Sequence, residues 1–244
     1  ITWLEQAWWN RRDRLLYWKR IFDDNVWMMF KMDDIDRMLT NKQISWEYYI
    51  ICDVARFWKD TTRISLREWN VWKRVWTYAK SSVTEVINSI LMIANTYWVN
   101  HRNIIIDADG VGGWVVDWID YCQWFVNNSS PIETGVKQNY ANLKSQCAFE
   151  LQRRLQNWQL CIKWEHIEAD KDYEILQNEL LNCYIDEKSI DWKTRIESKE
   201  KFKERVGHSP DLMDTLIMRM LPYVRWEQWL DYASDYLTSI IRNG

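Results

Sequence analysis

Three aspartates stand where an aspartate needs a reason. Asp53 lies inside EYYIICDVA, residues 47–55. That run reads as a buried strand, with Tyr49, Ile51, Asp53 and Ala55 on one face. A carboxylate there is costly unless it is paired or binds a cation. Asp107 closes the apolar run of Ile104, Ile105 and Ile106, a second buried strand. Side chains at the C-terminal ends of strands line the crevices where open α/β sheets bind ligands. Asp211 falls in the first turn of an expected helix, SPDLMDTLIMRML, and Asp214 lies on nearly the same face. Hard cations such as Mg²⁺ and Mn²⁺ prefer carboxylate oxygens and keep waters and substrate phosphates in their remaining positions. Two such ions about 4 Å apart can activate a water and stabilise the leaving oxygen of a phosphodiester.

Each acid also has an ordinary structural reading. Asp53 can pair with Arg56 or Lys59, or simply end a strand. Asp109 and Gly110 make an Asp-Gly turn. Asp211 suits a helix N-terminus by its charge. His208, beside Asp211, either assists proton transfer or contacts phosphate, or is a surface loop residue. His101 and His166 have no ligand-like spacing. Lys193, Arg195, Lys199, Lys201, Lys203 and Arg205 form a basic run, and Lys137, Lys144, Arg153 and Arg154 a second group. These contact DNA phosphates in one reading. In the other they are a solvated face, with Glu197, Glu200 and Glu204 interleaved. GVGGWV has neither dinucleotide-fingerprint nor P-loop spacing. No Ser-His-Asp order or Cys-His pair has motif support.

The elements that must position these acids follow from periodicity. Residues 1–22 read as an amphipathic helix and 23–46 as a connecting segment with a short helix near Asp33–Leu39. EYYIICDVA, TTRISLREW and NVWKRVWTYA read as three successive antiparallel strands. SSVTEVINSILMIANTYW is a helix with Ser82 as N-cap and Glu85 completing a capping box. RNIIIDADG is a strand ending at Gly110, and VGGWVVDWIDYC a helix. Residues 127–138 are a loop, 139–157 a helix, 158–167 a strand, 170–182 a helix and 183–198 a hairpin. ESKEKFKERVG is a basic helix stopped by Gly207. SPDLMDTLIMRML is capped by Ser209, with Pro210 at its first helical position. The tail from 222 has no assigned role. The order implies an α/β fold, a mixed sheet covered by helices. The expected units are 1–46 (helix and linker), 47–222 (the domain) and 223–244 (tail).

Composition bounds the rest. The chain has 244 residues, 47% hydrophobic, with a net charge of -3. That charge weighs against a nucleic-acid coating protein, although a metal-binding acidic centre lowers net charge by itself. No apolar run reaches the roughly 20 residues that span a bilayer, and the first residues do not read as a signal peptide. Cys52, Cys122, Cys147, Cys161 and Cys183 show no CxxC, which fits a reducing interior. Nineteen tryptophans and six glycines are abnormal in opposite directions. Apolar spacing assigns nearly all the tryptophans to core packing.

RLLYWKRIFDD, MDDIDRMLTN, IICDVARFWKD, IIIDADGVGGWVVD, KQNYANLKSQCAFEL and IESKEKFKERVGHSPDLMDTL occur in this order. Together they resemble the C-terminal nuclease domain of the large terminase subunit of tailed bacteriophages, the DNA-packaging motor. The specific part is the combination of DVARFWKD, DADGVGG and GHSPDLMD. The resemblance implies an RNase H/RuvC-like mixed sheet flanked by helices, with a three-carboxylate site for Mg²⁺ or Mn²⁺. Asp53 matches the first-strand acid, Asp107 the second and Asp211 the late-helix acid, with Asp214 as its neighbour and alternate. Double-stranded DNA is the implied substrate, with Lys199, Lys201, Lys203, Arg205 and His208 contacting it. The terminase ATPase domain, small subunit and portal are the implied partners, in host cytoplasm and away from membranes. Walker motifs of the family's ATPase half do not occur in these residues, so this stretch alone is not expected to translocate DNA. Trp58 and Trp18 stand where the family has glycine, and Trp114 extends a glycine cluster. Tryptophan at a positive-φ glycine position would strain a turn, which bears on activity and points to an altered sequence. The rival expectations are a DNA-binding or motor-docking module that does not cut, and another RNase H-like nuclease such as a junction resolvase.

Overall fold

A computed structural model describes residues 27–40, 47–54, 61–68, 71–135, 139–157, 159–160, 169–186 and 192–243. The expected helix over 1–22, nearly all of the expected strand over 158–167, and Trp18, Arg56, Trp58, Lys59, Lys137, Cys161 and His166 lie outside these residues.

The meander expected from the sequence is present. β1 (Tyr48–Asp53), β2 (Thr61–Glu68) and β3 (Val71–Ala79) pair antiparallel in succession. Helix α1 (Met32–Thr40) precedes them, and α2 (Val83–Tyr97) follows. Ser82 caps α2 in a full capping box with Glu85. The chain crosses by α2 to β4 (Ile104–Asp107), which pairs parallel with the free side of β1, Cys52 opposite Ile106. A parallel pair needs such a crossover. After the short α3 (Gly112–Val116) comes β5 (Gln123–Phe125), parallel to β4. The strand order is β3-β2-β1-β4-β5.

Four further helices follow: α4 (Leu143–Gln156), α5 (Ala169–Leu181), α6 (Lys199–Val206) and α7 (Asp211–Met218). The last element is α8 (Leu221–Asn243). Period-two alternation of the central strand divides the core. Ile50, Cys52, Ile104 and Ile106 face α2 and α3, with Val86, Ile90, Ile93 and Val115. Tyr49, Ile51, Ile105 and Phe125 face the other layer, with Leu151, Leu176, Leu180, Leu212 and Leu216 from α4, α5 and α7. Asp53 falls on this second face, so its carboxylate is aimed toward α7.

Several expectations change. VGGWVVDWIDYC yields only the five residues of α3. Left-handed Tyr121, φ 65°, follows it and leads into β5, whose three residues are too few to show a period. Ser209 does not cap α7; Pro210 holds that position, without a side-chain bond. The expected hairpin over 183–198 contributes isolated bridges, such as Ile185 with Ile196. The tail is a 23-residue helix. Cys52, Cys122, Cys147 and Cys183 are buried free thiols.

The assignment of nearly all tryptophans to the core is corrected. Trp72 is fully buried beneath the Arg67 guanidinium, 4.1 Å from its ring centre. Trp27, Trp98, Trp114, Trp118, Trp124, Trp192, Trp226 and Trp229 are exposed. Trp98 and Trp192 also adopt positive φ, 55° and 58°, the conformation glycine takes without strain. Trp114 lies in α3, without that strain. Trp98 ends α2 in the left-handed C-cap, a place usually taken by glycine, and 93% of it is exposed. Trp98→Gly should therefore stabilise the fold by about 0.5–1 kcal/mol, the relief of left-handed strain less the added freedom of the unfolded chain. An unchanged or lower urea midpoint would contradict this.

Candidate metal centre

Two strand ends and one helix start meet at this site. Because β1 and β4 run parallel with Cys52 beside Ile106, Asp53 and Asp107 follow on adjacent strand ends. The chain after β4 holds Asp107 in place. The Asp109 N–H donates to Asp107 Oδ1 at 2.9 Å, and Asn127 Nδ2 donates to Asp107 Oδ2 at 3.2 Å and Asp109 Oδ2 at 2.7 Å. Helix α3 starts so close to this turn that a Cβ on Gly112 would lie 1.6 Å from the Asp107 carbonyl oxygen. Only glycine fits there.

Helix α7 brings the remaining acids over β1. Asp211 lies 3.5 Å from Arg63 Nε and 3.6 Å from Lys199 Nζ. Asp214 lies 2.7 Å from Lys144 Nζ and 3.4 Å from Lys199 Nζ. Asp53 pairs in register with Arg63 across the strands. Lys199, at the start of α6, thus pairs with Asp211 and Asp214, and Asp53 and Asp107 also act on its charge.

Burial raises the Asp53 carboxyl to about 7. Lys199 pulls it down, while Asp107, Asp214 and Asp211 push it up. Burial likewise raises Asp107 to about 6 against the Asp109 N–H bond. For Lys199 burial opposes the charge, but Asp214, Asp53, Asp211 and Asp107 outweigh it and hold the ammonium above the usual lysine range.

All-oxygen carboxylate donors suit a hard cation. Asp214 Oδ1 is buried and meets Lys144 off the hydrogen-bond direction, so it lacks an aligned donor. Among the described residues, however, no three His, Cys, Asp or Glu side chains are spaced to hold an ion as they stand. The present spacing accommodates the Lys199 ammonium.

The basic run of α6 is divided in its roles. Lys199 is in the site. Lys201 pairs with Asp186 at 3.3 Å. Arg205 bonds Glu197 and the Asn182 carbonyl and lies 4.1 Å over the Tyr184 ring, tying α6 to the preceding segment. Lys203 is exposed. His208 Nδ1 is 2.8 Å from the Ser209 carbonyl oxygen. A cavity of about 420 Å³ opens beside the acids, with Asn127, Asn142, Lys144, Arg195, Lys199 and Asp214 in its wall. Sequence reasoning missed Arg63 and Asn127. Neither carries a motif, and each acquires its place only through strand pairing.

No protein-family model matches the sequence, and no curated protein sequence matches it. Solved structures do. The nuclease domain of the large terminase subunit gp2 of bacterial virus Sf6 superposes with a TM-score of 0.64 at 18% identity, over 79% of this chain and 97% of that one. A variant of that domain with manganese and beta-thujaplicinol gives 0.66 at 18%, with the same coverage. The large terminase nuclease of thermophilic phage G20c with bound magnesium gives 0.52 at 12%, over 80% and 97%. The chain has the fold of a phage terminase nuclease domain. In this terminase-nuclease fold the RNase H-like mixed sheet flanked by helices is the one expected from the sequence.

The raised carboxyls make a pH prediction. Between about pH 4 and 7 the folded chain keeps protons on Asp53 and Asp107 that the unfolded chain has lost. Stability from these groups is present below pH about 4 and is lost as pH rises through about 7. In EDTA the melting temperature should fall across this range. Asp53→Asn should flatten the fall and stabilise the metal-free chain at pH 8 by on the order of 1–2 kcal/mol. Parallel melting curves for the two proteins would refute it.

Proposed function

We propose that the chain is a divalent-metal-dependent endonuclease acting on double-stranded DNA, the nuclease part of a phage packaging motor. The observation that carries this reading is the pairing of Asp211 and Asp214 with one ammonium group that also feels Asp53 and Asp107, on adjacent strand ends. The fold shared with terminase nucleases, some solved with manganese or magnesium, supports it. Asp53, Asp107 and Asp211 would hold Mg²⁺ or Mn²⁺, with Asp214 as the fourth acid. When bound, such ions lower the pKa of a water and stabilise charge on the leaving oxygen.

The chain's own residues set the conditions for this. Asn127 and the Asp109 amide orient Asp107. Arg63 and Lys144 flank Asp211 and Asp214 and limit their mutual repulsion. Lys199 pulls the Asp53 carboxyl down against burial and competes with a cation for the acids' oxygens. DNA phosphates are contacted by Lys144 and Lys199 at the cavity and by exposed Lys203 and His208. Lys201 and Arg205 keep their intramolecular partners. The ATPase domain, small terminase subunit, portal and host cytoplasm belong to the same reading. No described helix is long and apolar enough to cross a membrane.

One observation favours the rival reading of a DNA-binding module that does not cut: among the described residues, no three acids are arranged to hold an ion as they stand. Plasmid cleavage with Mn²⁺, Mg²⁺ or EDTA separates the two. The nuclease reading expects metal-dependent nicking or linearisation, reduced at least about 100-fold in Asp53→Asn. A folded wild-type chain that binds DNA but leaves it intact would favour the module. Lys199→Ala should bind Mn²⁺ about threefold to tenfold more tightly at neutral pH, because one competing charge is gone. Weaker binding would show instead that the lysine supports the site.

A further inference from the structure

The nuclease reading leaves one fully buried acid without a task. Glu179, on α5, has 0% exposure. Its Oε2 accepts a hydrogen bond from the Met213 backbone N–H at 2.7 Å. Met213 is the third residue of α7. The first N–H groups of a helix have no partner within it and are usually met by a side chain at the N-cap. Pro210 holds that position and has no side-chain acceptor. Glu179 therefore supplies the missing cap from another helix, at an amide lying between Asp211 and Asp214 in the chain. Its second oxygen, Oε1, is buried without a hydrogen bond, 3.7 Å from His208 Nδ1. Burial also raises the Glu179 carboxyl to about 8, against the bond from Met213. A neutral carboxyl can still accept that bond, so the cap does not depend on charge.

Resting on the nuclease reading, we propose that Glu179 is a positioning residue, which sets Asp211 and Asp214 for metal binding by fixing the start of α7 through the Met213 amide. What the site needs from it is an acceptor at that point. Glu179→Gln keeps one, and Glu179→Leu removes it.

The test is Mn²⁺ affinity of the whole chain, read by titration at a temperature where circular dichroism shows each variant folded. Glu179→Gln should bind Mn²⁺ within about threefold of wild type, and Glu179→Leu at least about tenfold more weakly. Met213 amide exchange should accelerate in the leucine variant alone. A general packing role would lower the melting temperature and leave the folded protein's affinity unchanged. If Glu179→Leu does not fold, Glu179→Asp replaces it, since one methylene less withdraws the acceptor from Met213. Wild-type affinity in the leucine or aspartate variant overturns the proposal alone. Weakening in Glu179→Gln equal to that in Glu179→Leu also overturns it, because charge would then matter. A wild-type chain that takes up no Mn²⁺ overturns the nuclease reading, and the proposal with it.

Discussion

Like charges held away from water must be neutralised from within. Two unit charges 4 Å apart interact by about 4 kcal/mol at the effective dielectric of a protein surface, and by more as water is excluded. Asp107, Asp214 and Asp211 each push the Asp53 carboxyl up by such repulsion. Lys199 meets that constraint at the centre, with Arg63 and Lys144 at the edge. The carboxyls of Asp53 and Asp107 stay raised, by burial first and by neighbouring acids second. A divalent cation would meet the constraint more completely than an ammonium, since it brings twice the charge to the same oxygens.

The rest of the architecture delivers acids to this point. The parallel pairing of β1 and β4 places two carboxylates side by side on a sheet buried on both faces. The close start of α3, which admits only glycine at Gly112, fixes the turn after Asp107. Helix α7 is secured at several points. Leu212, Leu216 and Ile217 pack into the core. Glu179 meets its third amide, and buried Arg67 on β2 donates to Thr215 Oγ1 at 2.9 Å. Arg67 has no carboxylate in this contact and rests on Trp72. Its charge is sustained by two hydroxyls, of Ser65 and Thr215, and one aromatic face, so α7 is joined to the sheet at some electrostatic cost.

The surface shows where the unusual composition went. Lys80, Trp98, Tyr121 and Trp192 occupy left-handed positions in which glycine is unstrained. Strain of roughly 1–2 kcal/mol at each falls in turns and bends between the strands and helices. Trp98 and Trp192 are almost wholly exposed and contribute little packing in return. Trp226 and Trp229 stack on each other along α8, ring centres 5.0 Å apart. At Gly112 and Gly207, by contrast, glycine remains. A Cβ at the first would collide with the backbone beside Asp107, and the second ends α6 at φ 88°.

Sequence by itself determined the elements whose signal is local. The meander and β4 follow from apolar runs, α2 from Ser82 and Glu85, and the end of α6 from Gly207. It also singled out Asp53, Asp107, Asp211 and Asp214, because an acid beside an apolar strand or in a first helical turn stands out one residue at a time. Tertiary structure decided what depends on neighbours distant in the chain. Strand β5 is too short to carry a period, and the amphipathic pattern of α8 is blurred by exposed aromatics. The cap of α7 passed from Ser209 to Glu179 because its acceptor comes from another helix. Lys199 changed from a surface cation to the centre of the acid cluster because α6 ends up beside α7. Sequence spacing records which side chains share a face; only packing records which faces meet.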